Sequence, residues 1–474
     1  MEETQNMSKM ITRRGAVALA GAGLATAPLL AQAQTPAPAA PAAPAAAPAA
    51  AAPAAATPVA SPIVTFPAAR PALPLEPGAT LRMLRPVRFV QPDEDTWRAN
   101  CARFTQQTGV QVRVDFVGWE DITQQTAVTA NTGAGPDIIV GFDAGPHLFA
   151  DKLVDLSDIA NYLGAKYGGW RALAGAYGMR QGRFIGLPFG ASGGPAIWRT
   201  SALKEVGFDR PPEDHAGFLR LCQELKRVNK PGGFALGNAV GDGNAFANWL
   251  VWSHGGFLVD EQGAVGINSP QTINALNYLR DLYPTFVPGT LAWGDISNNR
   301  AYAANEIFLT QNGVSLYFSL KNDPAMAAIA EDTQMTPMPK GLADAAPNAG
   351  LTLNAMVFRH SRFPNAAKAL LAFLMETEQY DPWLQANIGY WSQPLNAYAA
   401  SATWNQDPKV AVFRDTMNSN FWNGFKGPIT EGSVAATADY VMVQMCASVA
   451  SGQATPQAAA REAERRATRF FRAR

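Results

Sequence analysis

One stretch constrains the chain more than any other: Phe184–Thr200, reading FIGLPFGASGGPAIWRT. Two apolar extended runs, Phe184–Phe189 and Pro195–Trp198, flank a small-residue loop, Gly190–Gly194. Pro188 fixes one backbone angle, while the glycines reach conformations closed to other residues. A chain that leaves one packed body and enters another needs such a joint. The stretch is read as joining two α/β lobes, with a ligand bound between them.

At 474 residues the chain is too long for one ordinary core. Its beginning is an address rather than a fold. Residues 12–33 place Arg13 and Arg14 before an apolar run, Ala16–Leu30, and an A-x-A site, Ala31-Gln32-Ala33. This pattern predicts an export signal over residues 1–33. The paired arginines and mildly apolar run resemble a twin-arginine signal, with a general secretory signal as the fallback because Ala16 and Val17 replace the common Phe-Leu pair. The run is short for a bilayer span of about 20 residues, so a soluble periplasmic protein is expected. Residues 34–78 are dominated by Ala and Pro and read as a disordered, extended linker.

Basic and acidic residues balance at 38 each; without residues 1–33 they number 35 and 36. No basic field exists to attract nucleic acid, and a neutral ligand is favoured over a phosphate or polyamine. Cys101, Cys222 and Cys446 lack metal spacing and sit in apolar helical patterns, as buried thiols do, although one disulfide stays open in an oxidising compartment. With no HExxH, Walker loop or His/Cys cluster, no metal or cofactor is expected.

Beyond residue 80, strand-like Leu81–Val90, Val110–Val117 and Asp137–Phe142 alternate with helical Asp95–Thr108 and Asp121–Asn131. That order predicts a parallel sheet with helices on its faces. After the joint, helices are expected over Pro212–Val228, Ala245–Ser253, Ser269–Tyr283, Asn365–Thr377, Ala435–Gly452 and Thr455–Arg469, and strands over Phe234–Leu236, Val314–Phe318 and Thr352–Phe358. Ligands of open α/β sheets bind beyond the carboxyl ends of strands. Trp119 and Glu120 follow the second strand; Trp119 could stack on a sugar ring and Glu120 or Asp121 accept from its hydroxyls, while Asp121 could equally cap the next helix. Phe142 and Asp143 close the third strand. Asp242 and Asn244 lie in a Gly-rich loop before a helix carrying Trp249 and Trp252; Trp252 reads as core and Trp249 as a candidate contact.

Several segments, in order, are similar to bacterial extracellular solute-binding proteins of ABC importers, the group typified by maltose-binding protein. They are TGVQVRVDF, TGAGPDIIVGFD, KLVDLSD, the opening stretch, GGFLVDEQGAVGINSPQTINALNYLRDLY and FPNAAKALLAFLMETE. The similarity runs from about Leu81 to Phe470. It departs at Arg199, where the family often has Asn. The resemblance implies a two-lobed periplasmic-binding-protein fold of type II: two Rossmann-like lobes joined by three hinge crossings. Lobe one would be 79–189 with 354–423, and lobe two 190–353 with 424–474. It implies a monomer without cofactor that captures a sugar, oligosaccharide or polyol by hinge closure and delivers it to an ABC permease in the inner membrane. It places Phe142, Asp143, Ser192, Asn312, Tyr317, Asn348, Thr352 and Trp422 at the cleft. A binding protein that reports to a membrane receptor fits the same pattern.

The rival reading is an exported hydrolase. Gly190-Ala191-Ser192-Gly193-Gly194 matches the G-x-S-x-G nucleophile elbow, with His215, His254 and His360 downstream. That elbow needs a helix after the serine. Pro195 and the strand-like Ala196-Ile197-Trp198 stand there instead. A carboxylate pair for glycoside hydrolysis remains open.

Overall fold

The structure is a computed structural model and describes residues 63–471 except Phe89, Thr416, Met417 and Ser419. The expected export signal and the first part of the linker lie outside the described residues. The described residues belong to one compact unit.

The strands, in chain order, are β1 (Thr80–Pro86), β2 (Gln111–Val117), β3 (Ile138–Phe142), β4 (Met179–Arg180), β5 (Arg183–Phe184), β6 (Leu187–Ser192), β7 (Ala196–Arg199), β8 (Leu309–Gln311), β9 (Thr333–Thr336), β10 (Asn348–Ala349), β11 (Leu351–Val357) and β12 (Asn420–Phe421). Five of them form one sheet in the order β2-β1-β3-β11-β6. β1 pairs in parallel with β2 and β3, whereas β11 runs antiparallel to both β3 and β6. The carboxyl ends of β1, β2, β3 and β6 therefore share one edge, and β11 begins there.

A second sheet has β7 between antiparallel β8 and β9. Ala196 pairs with Gln311 and with Thr336, so β7 starts where β8 and β9 finish. The chain passes between the two sheets in Gly193–Pro195. It returns before Leu351, and β10 there pairs in parallel with β12.

Local sequence explains the layers. Helix Gln91–Thr108 buries Trp97, Cys101 and Phe104 at helical spacing and stops at Gly109, whose φ of 77° suits glycine. Helix His215–Arg227 starts on Asp214, whose side chain accepts from Gly217 N, and buries Phe218, Leu221, Cys222 and Leu225. One large core lies under the five-stranded sheet, and another gathers Trp198, Leu221, Trp249, Leu276 and Met445 around helices of the other sheet.

Four expectations need correction. Gly190–Ser192 belong to strand β6 rather than to a loop, because their backbone pairs with β11. Val314–Phe318 is not a strand; helix Ser315–Asn322 occupies the region and buries Leu316, Tyr317 and Leu320, a helical spacing that the short alternation concealed. Phe234–Leu236 is extended without forming a strand; Phe234 packs on Phe246 and Phe286, and Leu236 N donates to Thr290 O. Residues 63–78, expected to be disordered, lie along the protein. Ile63, Ala68 and Leu73 pack against the first core, and Glu76 accepts from Asn365 N and Ala366 N at a helix start. Those apolar residues and that cap offset the ordering entropy, which Ala and Pro alone do not.

Candidate functional site

The shared edge of the five-stranded sheet carries an aromatic wall. Trp119 opens the helix Trp119–Thr132 directly after β2, and its Nε1 donates to Val87 O just beyond β1. Phe142 ends β3, with its ring 4.9 Å from Trp119. Trp391 lies nearly parallel to Trp119, at 6.4 Å and 17°, and 6.5 Å from Phe142. Tyr390 stands edge-on to both tryptophans, 6.1 Å from Trp119 and 4.9 Å from Trp391. Tyr390 and Trp391 are buried, whereas Trp119 and Phe142 keep part of their faces exposed.

A set of acids and amides gathers on the second sheet's side. Asp242 begins the helix Asp242–Ser253, and its Oδ2 accepts from Asn298 Nδ2 at 2.8 Å. Asn298 Nδ2 also donates to Gln311 O at the end of β8. Asn312 donates to the side chain of Asn299 and accepts from Ser315 Oγ. Asp295, unremarked in the sequence reading, accepts from three successive backbone amides, Val240, Gly241 and Asp242. It thereby does what a capping side chain does at a helix start. Burial, then the charge of Asp295, pushes the Asp242 carboxyl well above its ordinary range, against the bond from Asn298.

The two sides meet. A methyl group at Gly313 would stand 3.2 Å from Ser192 Oγ and 3.8 Å from Tyr390 Cε2, so only glycine allows this approach without displacement. The Tyr390 phenol is pushed up by burial and then by the charges of Asp242 and Asp295. Tyr390 thus packs on the wall and lies beside the approach of Ser192 to Gly313.

Asp143 takes another position. Its φ of 46° is left-handed, which Asp tolerates better than most residues. Oδ1 accepts from Thr352 N at 2.8 Å and Thr352 Oγ1 at 3.2 Å, and Asp143 O accepts from Asn354 Nδ2. Burial raises its pKa to about 6, against the hydrogen bonds from Thr352. Asp143 and Thr352 therefore clamp the end of β3 to the start of β11.

The remaining candidates separate. Trp249 is wholly buried among Phe218 and Phe246, and its Nε1 donates to Pro339 O, so it presents nothing to a ligand. Trp252 is buried, as expected, and packs edge-on against Phe421 and Phe425. Asn244 donates back to Val240 O within its own turn. Tyr317 donates to Asp407 Oδ2 at 2.8 Å beside Lys321. Trp422 donates to Gly427 O and packs near Tyr177 and Ala191. Glu120 occupies the first turn of the helix after β2, and Asp121 is exposed there, with Gly118 as the N-cap. Sequence reasoning passed over Tyr390, Asp295 and Asn298, and it left Trp391 possible without a positional argument to select it. Ser192 ends a strand that leads into another strand, so the strand–turn–helix elbow does not form. Arg199, where the resemblance broke, crosses to Asn305 Oδ1 at 2.6 Å and lies 4.9 Å over the Tyr302 ring, a corner brace for β7.

The profile of the family described as bacterial extracellular solute-binding protein matches residues 99–412. The chain belongs to this family. An ABC transporter-binding protein of Deinococcus radiodurans is 22% identical over 208 residues, which cover 42% of this chain and 49% of that relative. The chain thus spans about half the length of that relative. An ABC transporter periplasmic-binding protein of Escherichia coli is 22% identical over 332 residues, covering 67% and 74%. Among solved structures, the cyclic alpha-maltosyl-1,6-maltose binding protein of Arthrobacter globiformis superimposes with a TM-score of 0.67 at 18% identity, over 83% of this chain and 99% of that one. The extracellular solute-binding protein therefore has the expected two-lobed α/β fold with open sheets. Its strand-end wall lies where ligands bind in such sheets.

Proposed function

We propose that this protein captures a small polyhydroxylated solute, a sugar or polyol, between lobes 79–189 with 354–423 and 190–353 with 424–474, and delivers it to an ABC permease. The observation that carries the reading is the meeting of two kinds of surface at Gly313. An aromatic wall of Trp119, Phe142, Tyr390 and Trp391 approaches there the segment of Asn312, which bonds Asn299, while Asn298 joins the end of β8 to Asp242. Aromatic faces cover the apolar C–H face of a sugar, while carboxylates and amides satisfy its hydroxyls. The Arthrobacter neighbour, by its name, binds a cyclic maltosyl-maltose, and both curated relatives are named for ABC transport.

Closure about Gly193–Pro195, the segment before Leu351 and the segment around 420–427 would bring the two sides onto the solute. The solute acts by favouring the closed arrangement through contacts it makes only there. Export by the twin-arginine or general secretory route would place the protein in the periplasm as a monomer. Ser192 serves as a polar contact at the first crossing rather than a nucleophile.

The test is a sugar and polyol screen read by melting temperature and small-angle scattering. A binding solute raises the melting point and shrinks the radius of gyration. A broad screen that moves neither quantity refutes the reading.

A further inference from the structure

The loop after the helix Thr377–Ala386 has an uncommon backbone. Ile388 has a φ of 57° and Gly389 one of 73°, two left-handed residues in succession. For a β-branched residue this is a genuine outlier, and such strain concentrates where a loop is made to place something. Gly389 is required as well, since a methyl group there would meet Trp404 at 2.7 Å. What the loop places is Tyr390 followed by Trp391.

We propose that Tyr390 is the residue that sets the size of the bound solute, closing the cleft so that it takes one ring or an open-chain polyol of similar length. The proposal rests on the cleft reading above and deepens it. Tyr390 is only 8% exposed although it stands between two walls. Its ring edge covers Trp119 and Trp391, and its Cε2 lies beside Gly313. With Trp391 only 3% exposed, the aromatic surface left for a solute is the open part of Trp119 and Phe142. Those two rings, 4.9 Å apart, match a single pyranose face. A second sugar unit would need the space that Tyr390 fills.

The experiment compares melting shifts of the full chain, of Tyr390→Phe and of Tyr390→Leu with two sets of probes. One set holds hexoses and C5–C6 polyols; the other holds maltose, maltotriose and maltotetraose. The wild type should respond to the first set alone. Tyr390→Phe, which keeps the ring that fills the space, should keep both the size limit and the affinity of the wild type. Tyr390→Leu, which keeps apolar volume in the fold but shortens the side chain, should admit maltose. A wild type that takes maltose or longer chains as tightly as one-ring solutes overturns the proposal. So does a Tyr390→Leu protein with an unchanged ranking. A wild type that answers one-ring solutes while Tyr390→Leu keeps its affinities sinks this inference and leaves the binding reading standing; no response to any probe sinks both.

Discussion

The side chains of Arg85 and Asp93 are each 2% exposed and pair at 2.7 Å under the helix Gln91–Thr108. Only Nη2 of the guanidinium is engaged, bonded to both carboxylate oxygens, and Nε and Nη1 are buried without hydrogen bonds among the described residues. The guanidinium lies 4.4 Å over Trp97, and Asp93 Oδ1 also accepts from Trp383 Nε1 at 2.7 Å. Asp93→Asn keeps the shape and the acceptor for Trp383 but leaves a buried cation uncompensated. Breaking such a pair costs about 3–5 kcal/mol. Adding Arg85→Met removes the stranded charge and its two unsatisfied donors, so the double variant should fall only about 1–2 kcal/mol below wild type. The double variant should then recover at least about 1 kcal/mol of the loss, above the error of additivity. Urea unfolding followed by tryptophan fluorescence reads it; with a slope near 2 kcal/mol/M, Asp93→Asn should lose roughly 2 M of midpoint and the double variant should recover most of it. A single variant costing under about 1 kcal/mol, or a double variant no better than the single, would show that the pair does not hold this core.

Three further outcomes are expected. His215 stacks on His254 at 3.7 Å, and burial, then the charge of His254, lowers its pKa from 6.5 to about 4. The unfolded chain then binds the proton first, so stability present above pH 6.5 should fall as pH drops toward 4, by about 1–2 kcal/mol after screening, and His215→Gln should flatten that part of the melting profile. Asp143 is shifted the other way, to about 6, so its contribution is present below pH 3.8 and lost as pH rises through 6; Asp143→Asn, which retains an acceptor for Thr352, should melt no lower than wild type at pH 8, and a marked drop there would contradict the burial argument. Asp407 receives both Tyr317 and Lys321 while Lys409 Nζ donates to Ala330 O and Glu331 O; Asp407→Ala should weaken this junction by about 1 kcal/mol in urea unfolding, whereas an unchanged midpoint would mark the contact as idle.

Much of the scaffold could be read directly from the chain. The alternation of Val110–Val117, the buried run Asp137–Phe142 and the spacing of Trp97, Cys101 and Phe104 each report their element through local periodicity. Trp119, Phe142 and Asp242 were legible as candidates because they follow strands or open a helix. Val314–Phe318 failed because five residues fit two periods equally well. Trp249 and Trp252 look alike in sequence, yet both face inward, since helix Asp242–Ser253 is buried on nearly every side.

Tyr390 and Trp391 carried no local signal. They follow no strand, and they reach the wall only because Ile388 and Gly389 turn the chain against Trp404. Asp295 sits more than fifty residues from the amides it caps, so no spacing rule finds it. The sequence alone determined that this chain makes two α/β bodies linked at a proline- and glycine-bearing crossing, because burial of periodic apolar faces is a local property. Tertiary structure alone decided which side chains gather at the strand ends and which carboxylates are satisfied. Those outcomes depend on packing and hydrogen bonds between segments that meet only after folding.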